Sequence, residues 1–188
     1  MGRISDTVDD DLAGWLHAQP VFFVATAPSG PGGHVNVSPK GYDTFRVLGP
    51  TTVAYLDLTG SGIETVAHLA DNGRITLLFC AFTGPPKLVR LQGSGHTVVH
   101  GDEGFAELAG RFPPMPGARA VIVAELDRIA TSCGYSVPVM ELVGERPTLK
   151  EWAERRGPDG VVEYWAQRNG TSIDGLPGLA GPVEAAGA

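Results

Sequence analysis

In this 188-residue chain, the residue types best suited to chemistry gather in YLDLTGSGIETVAHL, residues 55–69. An apolar strand pattern runs into Thr59-Gly60-Ser61-Gly62 and then directly into helical spacing at Ile63, Val66, Ala67 and Ala70. Two glycines permit a sharp turn that aims successive amide N–H groups outward. Thr59, Ser61 and Thr65 add hydroxyl donors, and the start of a helix adds partial positive charge. That combination is a cradle for an anion, most naturally a phosphate. GSGIET lacks the third glycine of a dinucleotide fingerprint, and no Gly-Lys-Ser/Thr of a Walker A loop is present. Taken alone, a Gly-Ser loop before a helix is most often an ordinary N-cap.

A second candidate is NVSPKGYD, residues 36–43. Strand alternation puts Asn36, Ser38 and Lys40 on one side and Val37 on the other. Pro39 cannot donate a ladder hydrogen bond, which predicts an edge strand or a strand end. The polar side suits a heteroaromatic ligand, with Lys40 as a fixed positive charge; a solvated strand end fits the same pattern. TSCGYSVP, residues 131–138, offers Cys133 as a nucleophile or a pocket-lining thiol, and Tyr135 as a stacking ring or a barrel lid. His96 and His100 fall on one strand face, but no third metal ligand accompanies them. His17, His34 and His68 are isolated, and His68 is expected to pack.

Several short elements must position these groups. Residues 7–18 predict a helix capped by Thr7 or an Asp, with Leu12, Trp15 and Leu16 on one face. Strands are expected at 21–27, 34–38, 44–48 and 51–58, in antiparallel meander pairing. Residues 74–82 are continuously apolar and predict a central strand. Residues 88–100 form a long strand with a bulge or bend at Gly93 and Gly95. A short helix at 102–110 and a strand at 120–132 follow. Thr148 and Glu151 stand at capping-box spacing for a helix over 148–156, with a second helical piece after Gly157-Pro158. The tail from Gly175 is expected to fray. The fold class is therefore mostly β (α+β), an antiparallel barrel of six to seven strands with flanking helices. Residues 1–140 form the barrel, and 141–188 form a helical extension and tail packed on the same domain.

Gly (26) and Pro (15) are abundant enough to favour many short strands over long helices. A net charge of −7 makes nucleic acid an unsuitable main partner. No apolar run, Val21–Ala27 included, approaches the roughly 20 residues of a membrane span. The acidic amino terminus does not fit a secretory signal, and Asp6 does not fit a myristoylation site. Cys80 and Cys133 read as reduced thiols, which points to a cytoplasmic protein.

Five blocks in order, ATAPSGPGGHVNVSPKG, AYLDLTGSGIETVAHL, NGRITLLFCAFTGPP, LVRLQGSG and SCGYSVP, resemble the pyridoxamine 5′-phosphate oxidase-like superfamily of flavin-binding split β-barrels. The likeness runs from about residue 18 to residue 138, and it is to a bacterial and fungal branch rather than to the oxidase itself. SIDGLPGL, residues 172–179, resembles that branch's carboxy-terminal signature. The resemblance implies a homodimer with two flavin mononucleotides (FMN) at the subunit interface. By position, Asn36, Ser38 and Lys40 would approach the isoalloxazine and ribityl chain, with Tyr55 and Leu56 beside them. Thr59, Gly60, Ser61, Gly62, Glu64 and Thr65 fall in the phosphate segment, where the oxidase carries an Arg-Lys pair that this chain lacks. Gln92 and Ser94 would reach the flavin from the long strand, and Cys133 and Tyr135 from the other subunit.

The implied activity is a flavin-dependent oxidoreductase acting on a small molecule. The oxidase's Arg-x-His substrate signature has no counterpart here, so pyridoxal phosphate synthesis is not expected. Deazaflavin-using relatives prefer a basic groove; with 14 Lys plus Arg against 21 acids, FMN ranks ahead of a deazaflavin. Two rivals remain. One is a flavin- or haem-binding storage or redox-sensing protein, with His96 or His100 as axial ligand. The other is a dimerisation module that has lost its ligand.

Overall fold

The computed structural model describes residues 2–179. Its elements in chain order are β1 (Arg3–Ser5), α1 (Asp10–His17), β2 (Phe22–Thr26), β3 (Asn36–Lys40), β4 (Phe45–Val47), β5 (Thr52–Leu58), α2 (Glu64–Asn72), β6 (Arg74–Cys80), β7 (Leu88–Val99), α3 (Phe105–Ala109), β8 (Ala118–Ser132) and α4 (Thr148–Arg168). The apolar and alternating runs became strands near their expected positions, except that the strand expected at 34–38 begins and ends two residues later, at Asn36–Lys40. The strand Arg3–Ser5 was not foreseen: three residues carry too little pattern, and they are held only by pairing with Ile129–Thr131 of β8.

All pairings in the sheet are antiparallel, in the order β3-β2-β6-β7-β8-β5-β4 with β1 added on β8. This is a meander only in part, because β5 skips to β8 and β3 and β4 stand at opposite ends of the path. Laid flat, six strand spacings of about 4.8 Å would separate those ends by about 29 Å. The connection between them is residues 41–44, which can reach about 17 Å at most. The sheet must therefore curl until its ends approach, giving a split barrel. Val24, Val53, Leu77, Phe79, Val89, Leu91 and Ile122 fill the interior and are essentially inaccessible.

Details show which local rules prevailed. Asp9 caps α1, its Oδ1 accepting from Leu12 N at 2.8 Å. β6 is central, as its continuous apolarity requires, and β3 is an end strand, as Pro39 requires. The β7 bulge falls between Gln92 and Gly93, where a Cβ would sit 1.9 Å from the Glu125 carbonyl oxygen. The capping box at Thr148 does not form. The α4 N-cap is Pro147, whose carbonyl accepts from Glu151 N at 3.0 Å, so Thr148 is already inside the helix. The break in α4 lies at Gly157 (φ 69°, ψ 169°), matching the two-piece reading.

The tail was expected to fray from Gly175, but residues 169–179 are ordered. Thr171 and Pro177 form an antiparallel bridge, and Leu179 packs against both the barrel core and the α4 cluster. Residues 180–188 lie outside the described part. No helix among the described residues is long and apolar enough to cross a membrane.

Candidate cofactor site

Where the barrel splits, β3 and the end of β5 face one another across a cavity of about 380 Å³. Its wall contains Asn36, Ser38 and Lys40 from β3, Leu56 and Leu58 from β5, Thr59–Gly62 from the following loop, and Glu64 and Thr65 from the first turn of α2. Tyr42, Arg119 and Leu149 complete it. The inward side of β3 is polar because the barrel does not close over it. Val35 and Val37, on the outward side, are 71% and 61% exposed.

Three side chains form a line along the cavity. Ser38 Oγ donates to Asn36 Oδ1 at 3.2 Å, and Asn36 Nδ2 donates to Thr65 Oγ1 at 3.1 Å. Lys40 continues that face, but its charge is not free: Nζ lies 2.6 Å from Asp57 Oδ1. Asp57 is fully buried and takes a second cation, Arg119 Nε, 2.7 Å from Oδ2. Burial alone would raise the Asp57 carboxyl, but Lys40 and Arg119 outweigh it and hold the carboxyl below the usual carboxylate range. Two cations on one anion leave this cluster formally +1.

The loop itself differs from its sequence-based picture. Neither Gly60 nor Gly62 adopts a left-handed backbone, and a Cβ at Gly60 would meet nothing within 4 Å. Their turn-making freedom is not what shapes it. Thr59 is not a free donor: its Oγ1 donates to the Gly117 carbonyl at 2.7 Å and accepts from Trp165 Nε1 at 2.8 Å. What shapes the loop is the capture of its carbonyls from behind. Gly60 O accepts from Arg119 at 3.2 Å and from Asn169 Nδ2 at 3.0 Å, and Ser61 O accepts from the same Asn169 amide at 3.4 Å. In a trans peptide the following N–H points opposite to the carbonyl. The Ser61 and Gly62 N–H groups are thereby turned away from Asn169, and neither has an acceptor among the described residues. No side chain caps α2, whose N-cap residue, Ile63, carries no polar side-chain atom.

The structure thus brings Asn36, Ser38, Lys40, Leu56, Thr59, Gly60, Ser61, Gly62, Glu64 and Thr65 onto one cavity. Tyr55 lies beneath it in the core at 1% exposure. Its hydroxyl makes no hydrogen bond to any described residue, and Thr65 is a polar neighbour. Burial, with Asp57 adding to it, pushes the Tyr55 phenol well above its ordinary range. Gln92 and Ser94 are not gathered here. Gln92 accepts from Arg128 at 2.9 Å and borders a separate cleft with Arg74 and Asp127, while Ser94 lies beside Gly73. Cys133 and Tyr135 are exposed, Tyr135 at 83%, on a segment that does not line this cavity. The cysteines are unpaired, and no group of three metal-ligating side chains occurs among the described residues. His68 packs as expected, fully buried with Nδ1 3.0 Å from Thr26 Oγ1.

Four residues escaped the sequence reading: Asp57, Arg119, Asn169 and Tyr42. A signal existed for the first two. Alternation along β5 aims Asp57 inward with Val53 and Tyr55, and an inward acid demands a buried cation. Arg119 directly precedes the apolar run Ala120–Ala124 of β8. Tyr42 is the one non-glycine residue with positive φ (58°) among the described residues. Asn169 had no local signal.

Residues 8–133 match the family model for pyridoxamine 5′-phosphate oxidase. The chain belongs to that family. A pyridoxamine 5′-phosphate oxidase family protein of Aspergillus flavus, UstO, is 40% identical over 191 aligned positions, covering 93% of this chain and 76% of the relative. HupZ of Group A Streptococcus has a similar fold at 23% identity and TM-score 0.51, over 64% of this chain and 90% of that chain. A protein from Lactobacillus delbrueckii described as a candidate pyridoxamine 5′-phosphate oxidase reaches TM-score 0.50 at 16% identity, over 66% of this chain and 94% of its own. At such identities the likeness establishes the split-barrel fold alone. The family model ends at residue 133, so α4, Asn169 and the bridged residues 171–177 lie outside it.

Proposed function

We propose that this family member binds FMN in the β3–β5 cavity and acts as a flavin-dependent oxidoreductase on a small molecule. The observation that carries the reading is the pair of acceptor-less amides at Ser61 and Gly62, which face away from the Asn169 side of the loop beside a cluster of net charge +1. A phosphate monoester fits this corner: it accepts from the amides and from the Ser61 and Thr65 hydroxyls, and Lys40 and Arg119 offset its charge against Asp57 and the Glu64 carboxylate on the same wall. The chain thus makes up for the missing Arg-Lys pair with Arg119 placed behind the loop.

The bound flavin supplies hydride acceptance and return. The chain's own residues bind and orient it. Asn36 presents the second N–H of its amide and Ser38 its hydroxyl oxygen along one edge of the cavity, and Lys40, anchored by Asp57, keeps a cation beside the ring position. Leu56 and Leu58 supply the apolar wall. At about 380 Å³ the cavity is at the small end of ligand sites, which supports a second subunit completing it. Exposed apolar residues support the same homodimer: Val139 (87%), Leu142 (62%) and Val143 (99%) on the segment after β8, Val35 just before β3 and Val37 on it. Gln92, Ser94, Cys133 and Tyr135 would then reach a cofactor across the interface.

Absorption spectroscopy of freshly purified protein tests the reading. The expected result is the two-banded spectrum of an oxidised flavin, with FMN identified in the acid-released supernatant by mass. A Soret band, or a colourless protein whose added FMN passes freely through dialysis, contradicts it.

A further inference from the structure

The carboxy-terminal SIDGLPGL motif lies beyond the matched family region, and nothing in the flavin reading needs it. In the structure it is a small hairpin. Ser172 N donates to Leu176 O at 2.9 Å, Gly178 N to Gly170 O at 2.9 Å and Leu179 N to Asn169 O at 2.8 Å. Gly178 packs so closely that a Cβ would lie 2.3 Å from the Asn169 carbonyl oxygen and 2.8 Å from Ile63. Asn169 is therefore clamped: its N–H donates to Trp165 O, its carbonyl accepts from Leu179, and the residue is fully buried. Every polar atom of its side chain is also committed, Oδ1 to Arg119 at 3.0 Å and Nδ2 to the Gly60 and Ser61 carbonyls. On the outer side, Asp174 holds His34 through both its ring Nδ1, at 2.7 Å, and its amide, at 2.8 Å. The hairpin is thereby tied to the loop that leads into β3.

We infer that this hairpin is the buttress of the anion cradle, and that Asn169 is a positioning residue that gives the site its preference for the phosphorylated flavin. The inference rests on the FMN reading above. Nothing in the 60–62 backbone itself selects one orientation, since neither glycine holds a special conformation. The Asn169 amide selects it by drawing two consecutive carbonyls to the side opposite the cavity. Without it the Ser61 peptide can rotate, and the Gly62 N–H no longer faces a phosphate. Asn36 and Ser38 make no hydrogen bond to Asn169, and Lys40 is linked to it only through Asp57 and Arg119, so the ring contacts depend on it at most indirectly.

The test compares FMN with riboflavin, which lacks the phosphate, by calorimetric titration of full-length protein stripped of ligand. Wild type is expected to bind FMN more tightly than riboflavin. Asn169→Ala is expected to lose about tenfold of that preference, the worth of one charge-assisted hydrogen bond, while its riboflavin Kd stays within about twofold. A variant that keeps the wild-type preference, or that loses FMN and riboflavin affinity in equal measure, overturns the inference alone. Wild type that does not distinguish the two ligands overturns the phosphate reading, and the inference with it. Should Asn169→Ala fail to fold, Asp174→Ala, which removes both hydrogen bonds between the hairpin and His34, decides. A drop of about twofold or more in the FMN preference at unchanged melting temperature supports the buttress, and an unchanged preference overturns it.

Discussion

The side-chain amide of Asn169 donates to the carbonyl of Gly60 at 3.0 Å, across 109 positions of sequence. That contact makes the last turn of the chain's longest helix part of a loop that the barrel alone would leave unsupported. Two consequences are separable, one for stability and one for binding.

Lys40→Ala separates ligand affinity from folding only in part. It removes the cation nearest the cavity and leaves Asp57 with Arg119 as its remaining ionic partner. Expected are weakened FMN retention, by about tenfold, and a stability loss of about 2 kcal/mol. That loss is below the roughly 3–5 kcal/mol of a fully broken buried pair, because Arg119 stays. Undiminished retention removes Lys40 from the site.

Asp57→Asn strips the balancing anion from two cations and is expected to cost about 3–5 kcal/mol in urea unfolding near neutral pH. The same residue sets an acid limb. Its folded pKa lies below its unfolded value, so the stabilisation is complete above roughly pH 4 and drains as pH falls through the folded value. Wild-type stability therefore declines more steeply below about pH 4 than that of Asp57→Asn; parallel slopes contradict the assignment.

Glycine substitutions distinguish close approach from open space. Gly93→Ala places a methyl group 1.9 Å from the Glu125 carbonyl at the β7 bulge and is expected to cost about 1–3 kcal/mol or more. Gly60→Ala meets nothing within 4 Å and needs no special backbone, so its melting temperature stays close to wild type. Comparable losses at both positions contradict this distinction.

Tyr55→Phe removes a buried hydroxyl that has no partner. Deleting an unsatisfied polar group from a core carries little penalty. The variant is expected to melt at or above the wild-type temperature, and a loss of more than about 1 kcal/mol indicates a hydrogen bond that the described residues do not show.

Much of this was legible in the chain. The strands follow from alternation and from breakers such as Gly49-Pro50, and β6 was placed centrally because seven nearly uninterrupted apolar residues suit only a strand covered on both sides. The cavity wall was legible as well, since Asn36, Ser38 and Lys40 share a face by period and the Ser61 loop must follow β5. The reason for the loop's shape was not. It depends on Asn169 and Arg119, which are remote in sequence and of types with no local pattern. Glycine content suggested an intrinsic turn where tertiary hydrogen bonds are at work. The capping box failed for a related reason: Thr148–Glu151 spacing is satisfied, yet Pro147 already occupies the cap position and starts the helix one residue earlier. The tail looked frayed by composition, because Gly and Pro are read as loosening a chain, while here Gly178 permits a close contact that fastens it.

The most direct measurement is a crystal structure of the protein grown with FMN. The phosphate is predicted to lie within hydrogen-bonding distance of the Ser61 and Gly62 amide nitrogens, with the ring along Asn36, Ser38 and Lys40. A flavin whose phosphate sits elsewhere, with those two amides bound only to solvent, contradicts the account at its base.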